Sequence, residues 1–474
     1  MHNAPHRSLK QLIGAGVCAA VIGLGLPAPL SAESLADALV GAYRTSNLLD
    51  QNRAVLRAAD EDLATAVSTL RPVVSFTGST GYSQTRLDGS VSAESLSAAL
   101  ELGASLTLYD GGSRQKGIEI SNALVQATRA SLLGVEQAVL LAAVQAFVDV
   151  RLATETVALR TNNTRVIERE LDAVRDRFQL GEVTRTDVSI AEARLAAARS
   201  NRAAADGDLA VAREAYKLAV GRYPGVLATP PRLPNPAATL DAARTIARER
   251  QPSVIEARHR VEVADLAVAQ VQAQNGPRLG LSSGLSVTER DVMTGSASEG
   301  TIAGATLSLS LSKTLYQGGA LSARERKAIA QHDAARAGLH RVTANIERDV
   351  AQAWAQRDVA RASITASEQQ VTAARAAFSS VREEAAFGAR TTLDLLNAEQ
   401  EALDAEAARL RAQASEQKAG YGLMAAMGLL TAENLKLGVP IYDVTTYHEA
   451  VKSAPRSVQS EAIDRILGRA PAGN

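Results

Sequence analysis

The chain contains the same order of segments twice, and this internal repeat constrains the fold more than any other feature. Residues 108–112 read Leu-Tyr-Asp-Gly-Gly, and residues 315–319, which lie 207 positions later, read Leu-Tyr-Gln-Gly-Gly. The same spacing relates Gly181 to Gly388, Thr184 to Thr391, Asp187 to Asp394, Glu192 to Glu399 and Gly221 to Gly428. A register kept over this length predicts two structural units of one design.

Residues 1–32 have the composition of a secretory signal. Arg7 and Lys10 give a positive start, an apolar run follows, and Ala32 offers a small residue for cleavage. The one cysteine of the chain, Cys18, lies inside the apolar run. Cleavage at Ala32 therefore predicts an exported protein that has no disulfide and no thiol chemistry.

Composition and motifs argue against several functional classes. The chain has 51 basic and 51 acidic residues, so no basic excess predicts nucleic-acid binding. The histidines stand apart from carboxylate or cysteine partners at metal-ligand spacing, and no phosphate-binding glycine motif occurs. We therefore expect no metal, no cofactor and no enzymatic activity, and any energy for the function must come from a partner.

The hydrophobic period changes within each repeat. Apolar residues recur with a helical period over residues 35–70, and Pro72 ends this helix. Alternation then predicts strands over about 73–84 and 96–108 in the first repeat, and over about 278–288 and 302–312 in the second. Each strand has an apolar face and a face of small polar residues, which is typical of a transmembrane barrel. A soluble sandwich has equally amphipathic strands, so the strands alone leave both alternatives open.

Long helices complete each repeat. The first repeat spans residues 33–223 and ends in predicted helices over 112–180 and 184–221. At about 1.5 Å per residue the longer helix reaches on the order of 100 Å. The opening helix of the repeat and its last helix together match the long helix in length, so two stacked short helices can lie beside one continuous helix.

The second repeat follows a proline-rich linker over residues 224–237. It spans residues 238–430, with an opening helix predicted over 239–275 and long helices predicted over 320–387 and 391–428. Residues 431–474 have no counterpart in the first repeat and are predicted to form a separate C-terminal segment.

Four strands per chain cannot close a water-filled pore. Within lipid every strand edge must be paired, because no water satisfies the backbone there. Three copies supply 12 strands, so the sequence predicts an α+β membrane protein: a homotrimer with a 12-stranded barrel, in contact with outer-membrane lipid, continued by a long α-helical barrel.

The chain resembles the TolC family of outer-membrane efflux and type I secretion channels. The resemblance rests on the paired Leu-Tyr-x-Gly-Gly segments and on two helix-hairpin turns, residues 177–188 and 387–396. It implies an exit duct in the outer membrane of a Gram-negative bacterium, with a long periplasmic portion and an equatorial belt partly made by the C-terminal tail. It also implies two partners, a periplasmic adaptor protein and an inner-membrane ABC or proton-driven transporter.

The two hairpin turns are the candidate adaptor-docking tips. The residues concerned are Leu180, Gly181, Val183, Thr184, Phe387, Gly388 and Thr391. Gly181 and Gly388 have a competing structural interpretation, because a turn between helices favours a residue without a Cβ.

The resemblance further implies a periplasmic gate just beyond the tips. The gate residues are Thr186, Asp187, Arg390 and Asp394. Stabilisation of a helix N-terminus is an equal alternative for Asp187. Ala385 stands where the family has a partner tyrosine, and Asn397 stands at the position of a second acidic ring, so we expect three entrance carboxylates in the trimer rather than six.

A soluble periplasmic helical adaptor or scaffold is the alternative function. It explains the signal and the helices. It does not explain four long strands that each have one apolar face and that recur with the repeat.

Overall fold

The computed structural model describes residues 32–231, 233, 236–294 and 300–452. The predicted signal lies outside these residues except for Ala32, and so does the part of the predicted C-terminal segment after residue 452.

The strands form one antiparallel sheet in the order β1-β2-β3-β4. The strands are β1 Val73–Leu87, β2 Ser90–Tyr109, β3 Arg278–Thr294 and β4 Gly300–Ser312. Asp88 and Gly89 both have positive φ, at 49° and 79°, which is the geometry of a two-residue hairpin turn. β2 begins at Ser90, earlier than the predicted strand start at about 96, because the Asp-Gly turn is only two residues long.

The pairing register places the apolar residues of all four strands on one face of the sheet. Phe76 pairs with Leu102, Leu102 with Leu285, and Leu285 with Ala305. This face is uncovered within the chain, and Leu307 is 76% exposed. An apolar face of this extent is not stable against water and needs lipid or another protein surface.

Helices make up most of the rest of the described chain. The helices are α1 Leu35–Thr45, α2 Asn47–Ser68, α3 Ser113–Gln179, α4 Arg185–Val220, α5 Leu240–Arg250, α6 Pro252–Gln274, α7 Ala320–Ala386, α8 Thr392–Ala426 and α9 Val444–Val451. We call α3 with α4 the first hairpin and α7 with α8 the second hairpin. Both hairpins turn at a glycine. Because α3 and α7 each begin shortly after a strand and run for 67 residues to that turn, the tips lie at the end of the molecule away from the sheet.

The opening helix predicted for each repeat is two helices in the structure. Ser46 separates α1 from α2, and its side chain accepts a hydrogen bond of 3.3 Å from the backbone N–H of Leu49. In the second repeat Gln251 is extended because Pro252 follows it. The break thus has a different local cause in each repeat.

The main core lies between the sheet and the hairpin tips. It joins α1, α2 and the half of α3 nearer the sheet, with fully buried Leu49, Leu56, Leu140 and Phe147. Tyr216 of α4 and Leu430 after α8 close it from the other side. This cluster binds the first repeat to the segment that follows the second.

The segment after α8 crosses this core as a belt. Buried Glu136 accepts a hydrogen bond of 2.6 Å from the backbone N–H of Ala432. Farther along, α9 packs on α2, where His448 Nδ1 lies 2.8 Å from Asp60 Oδ1 and the Tyr447 hydroxyl donates to Glu61 over 2.6 Å. The C-terminal segment is therefore held through residue 452 by polar contacts as well as by packing.

One described helix is apolar enough to span a membrane by composition. A window of α3 has a mean hydropathy of 1.7, and 56% of that window is buried inside the chain. The same helix supplies Val139, Leu140, Val144 and Phe147 to the core. Packing within the protein therefore accounts for this hydropathy.

Candidate functional site: the hairpin tips

The first tip is a glycine-terminated helix end. The backbone N–H of Gly181 donates to Phe178 over 3.0 Å, and that of Glu182 donates to Arg177 over 2.9 Å. These two bonds satisfy the last carbonyls of α3 in the Schellman pattern. Gly181 has φ +77°, and a Cβ on it would meet nothing within 4 Å. The turn therefore requires glycine for its backbone conformation and not for lack of space.

The second tip repeats this geometry. Gly388 also has φ +77° with open space around its Cα. Its backbone N–H donates to Ala385 over 3.1 Å, and that of Ala389 donates to Glu384 over 2.9 Å. The two tips thus share one backbone design, as the repeat predicts.

Each returning helix begins with a capping box. The backbone N–H of Asp187 donates to Thr184 Oγ1 over 3.3 Å, and Thr184 returns a backbone bond of 2.9 Å to Asp187 Oδ2. Thr391 and Asp394 form the same pair of bonds, both of 3.1 Å. These reciprocal bonds satisfy backbone donors that a helix start would otherwise leave free.

The capping boxes hold both aspartates in the charged form. Hydrogen bonds from the side chain and the backbone of Thr184 lower the pKa of Asp187. Hydrogen bonds from Thr391 lower the pKa of Asp394 in the same way. Both carboxylates lie within the first turn of a helix, where a negative charge is favourable. Helix capping is therefore a role that the geometry gives to both residues.

The tips present large apolar side chains to solvent. Phe387 is 90% exposed and Leu180 is 75% exposed. Gly181, Thr184, Gly388 and Thr391 are also exposed, and Val183 is half-buried. Two exposed apolar residues beside two flat glycine turns form a surface against which another helix can pack.

Arg390 has a partner that the sequence interpretation did not include. Its Nε donates to Glu384 Oε2 over 2.7 Å, which ties the tip turn to the last residues of α7. Within one chain the structure does not bring Arg390 to Thr186 or Asp187, and Thr186 is exposed. A bridge from Arg390 across the entrance stays a prediction for the assembled protein.

A contact between the hairpins was also missed. Arg194 of α4 donates to Asn397 Oδ1 of α8 over 2.9 Å. Asn397 is the residue that stands in place of a second acidic ring. Ala385, at the position of the missing tyrosine, is buried at the base of the second tip. The amide at position 397 thus joins the two hairpins instead of adding a charge.

The described residues contain no group of three or more metal-ligating side chains placed to hold an ion. The parts that the structure does bring together are a strand sheet with an apolar outer face, two long hairpins, and a pair of exposed tips. A subunit of a membrane channel with a long extramembrane tunnel has these parts.

Family comparison identifies the class. The outer membrane efflux protein family matches residues 42–222 and 244–429. The chain therefore belongs to the outer membrane efflux protein family, and it is an outer-membrane exit duct with a long periplasmic helical portion. The prediction of an efflux and secretion channel is confirmed, and the soluble adaptor is not supported.

Two relatives align over nearly the whole chain. The outer membrane efflux protein BepC of Brucella suis biovar 1 (strain 1330) is 31% identical over 449 residues, which cover 94% of this chain and 96% of BepC. The outer membrane protein TolC of Salmonella enteritidis is 24% identical over 94% of this chain and 91% of its own.

A solved structure supports the fold. Crystal structures of CusC superpose with a TM-score of 0.73 at 19% identity, over 84% of this chain and 92% of CusC. The predicted fold class, with four strands per chain continued by a helical tunnel, is therefore confirmed.

Proposed function

We propose that three copies of this chain form the exit duct of a tripartite export system. In this assembly the duct receives cargo from an inner-membrane transporter and a periplasmic adaptor, and passes it across the outer membrane. Cargo of two kinds, a secreted protein or a drug, fits a duct whose strands line the lumen with serine, threonine and glycine.

The two unpaired edges of the sheet are the observation that supports a trimer. β1 and β4 each pair on one side only, with β2 and β3 respectively. An unpaired edge is unstable within a bilayer. The β4 of one copy and the β1 of the next can pair, and three copies then close 12 strands.

The hairpin tips support an adaptor-docking role. Phe387 and Leu180 are exposed at the end of helices that reach on the order of 100 Å from the sheet. This distance places the tips deep in the periplasm, where an adaptor can contact them. A helical hairpin of the adaptor, packed between the two tips, would bury both side chains.

The gate proposal uses the same end of the tunnel. Thr186, Asp187 and Asp394 lie in the first turns of α4 and α8, and Arg390 lies in the second tip just before α8. Three copies of each would encircle the entrance. Exposed ion pairs contribute roughly 0–1 kcal/mol each, so such a ring can hold the entrance closed and still yield to a docked partner.

The assembly is tested on the purified protein in detergent. Native mass spectrometry should give a trimer, and the same preparation should form conducting channels in planar bilayers. A stable monomer that conducts by itself would overturn the proposal.

A further inference from the structure

The two hairpins of one chain meet along a seam near the tips. The seam is the buried apolar cluster Ile167, Leu171, Ala191, Leu195, Ala198 and Leu396. Only Leu396 of this cluster comes from the second hairpin, so the apolar part of the contact near the tips depends on one residue of α8. Any movement that widens the entrance by separating the hairpins must break this contact.

A buried carboxyl continues the seam one turn farther from the tips. Glu399 of α8 is 7% exposed, and Asn163 of α3 is 6% exposed. Glu399 Oε1 accepts a hydrogen bond of 3.0 Å from Asn163 Nδ2. Among the described residues Glu399 Oε2 has no hydrogen-bond partner. A buried carboxylate with one neutral donor is destabilising when ionised.

The repeat supplies a comparison for this residue. Glu192 occupies the equivalent position in the first hairpin, where its side chain is 49% exposed and pairs with Arg175 over 2.7 Å. Arg382 is the equivalent of Arg175, yet Glu399 points to Asn163 instead. The equivalent carboxylates thus differ in place, since Glu192 lies on the surface and Glu399 lies in the contact between hairpins.

The charged groups around Glu399 do not offset the free-energy cost of ionising its buried carboxyl. On α3, Glu170 adds a like charge. Arg375 of α7 borders the same cavity of about 290 Å³, but it pairs with Glu406 of α8. On α4, Arg194 donates to Asn397. Burial therefore raises the pKa of Glu399 to about 7, against the lowering effect of Asn163.

We propose that Glu399 is a proton-operated lock on the seam. When protonated, the carboxyl stays buried and the hairpins remain packed. When ionised, it favours the separated arrangement in which water reaches it. The entrance between the tips therefore opens more readily as the periplasmic pH rises. This inference rests on the proposed duct, in which the tips surround the entrance.

The direction of the pH effect follows from the pKa of Glu399 in the packed and in the separated hairpins. In the separated state Glu399 is hydrated and has the ordinary value of 4.5, whereas in the packed state its pKa is about 7. The free energy of packing is most favourable below the lower pKa, becomes less favourable between the two pKa values, and levels off above the higher one. The ratio of packed to separated hairpins should fall about a hundredfold per subunit between about pH 5 and about pH 8.

The test compares three forms of the full-length protein in planar bilayers across that pH range. Wild-type open probability should rise with pH. Glu399→Gln should remain at the low wild-type level throughout, because a neutral amide stays buried at every pH. Glu192→Gln, the matched variant of the first hairpin, should keep the wild-type pH response. A Glu399→Gln variant that responds like wild type would overturn the lock.

A second measurement separates the lock from the duct. Spin labels at Glu182→Cys and Ala389→Cys, in a Cys18→Ser background, report the distance between the tips. This measurement does not require the protein to conduct. The distance should increase with pH in the labelled protein and stay constant when Glu399→Gln is added. A protein that never conducts but shows this response would refute the duct and keep the lock. A constant distance in both would refute the lock.

Discussion

The helices α3 and α7 are equivalent by the repeat and have the same length, 67 residues, but they differ in burial. Within one chain α3 buries 21 of its residues and α7 buries 8. The difference begins earlier in each repeat, since α1 buries six residues and α5 buries two. The first repeat carries the core of the chain, and the second leaves comparable faces open.

Repetition of a sequence pattern therefore does not imply repetition of environment. In the first repeat α3 is covered by α1, by α2 and by the belt after α8. The second repeat packs a smaller cluster around Ala243, Val254 and Val350. Open faces on α6 and α7 are available for the neighbouring copies that the proposed trimer requires.

The largest effect is expected at an equivalent pair of aromatic residues. Phe147 of α3 is fully buried, and Trp354, which lies 207 positions later, is half-buried with the Arg357 guanidinium 3.8 Å from its ring centre. Phe147→Ala should lower stability by about 3–5 kcal/mol. Trp354→Ala should cost about 1–2 kcal/mol, because it removes less buried area.

Chemical denaturation of both variants in detergent, at one protein concentration, measures this pair. Equal losses of stability would contradict the difference between α3 and α7. They would show that a neighbouring copy buries α7 as fully as the chain itself buries α3.

The next effect concerns the tips. Gly181→Asp or Gly388→Asp should abolish export while the trimer remains in the membrane, because the added carboxylate blocks close approach of an adaptor helix. Gly→Asn at the same position is the matched control, since asparagine has the same shape and also tolerates positive φ. Export assays with membrane-fraction blots measure both properties.

Loss of export with both Asp and Asn would assign the effect to bulk and not to charge. Normal export by both Asp variants would contradict a docking role. A defect at one tip alone would show that the adaptor distinguishes the two hairpins.

A smaller effect is expected at the gate. Arg390→Ser together with Thr186→Val should raise single-channel conductance in the absence of adaptor, because charge-assisted bonds across the entrance are lost. The repeat equivalent of Arg390 is Val183, and the nearest cation of the first tip, Arg185, lies two positions farther along the chain at the start of α4.

Glu384→Gln is the control for this change, because it releases Arg390 from its own hairpin and keeps the positive charge. Glu384→Gln should leave conductance at or below the wild-type value. A rise equal to that of the double variant would show that Arg390 acts through Glu384, and an unchanged double variant would exclude the gate role.

The periodic features of the chain were predictable from the sequence, and the contacts between repeats were not. Alternation over short stretches and long helical periods indicate strands and hairpins, because each side chain's face follows from its position. The breaks at Ser46 and Gln251 were missed because apolar residues keep a helical period on both sides of them. Ser46 as a cap and Pro252 as a first helical residue were the available signals.

The site shows the same limit. The capping boxes of Thr184 with Asp187 and of Thr391 with Asp394 can be recognised in the sequence, since the partners lie three positions apart. The bond from Asn163 to Glu399 joins residues 236 positions apart. No period or motif marks such a pair, because its existence depends on how one hairpin packs on the other.

The equal length of α3 and α7 has a consequence for how such proteins can change in evolution. Each long helix ends at a glycine turn, and a shorter helix runs back from that turn. An insertion in a single helix would therefore place the two tips of one chain at different distances from the sheet. The reach of the tube can therefore change only by matched insertions in all four arms, in steps that preserve whole helical turns. The length of the helical portion must therefore match the distance between the two membranes.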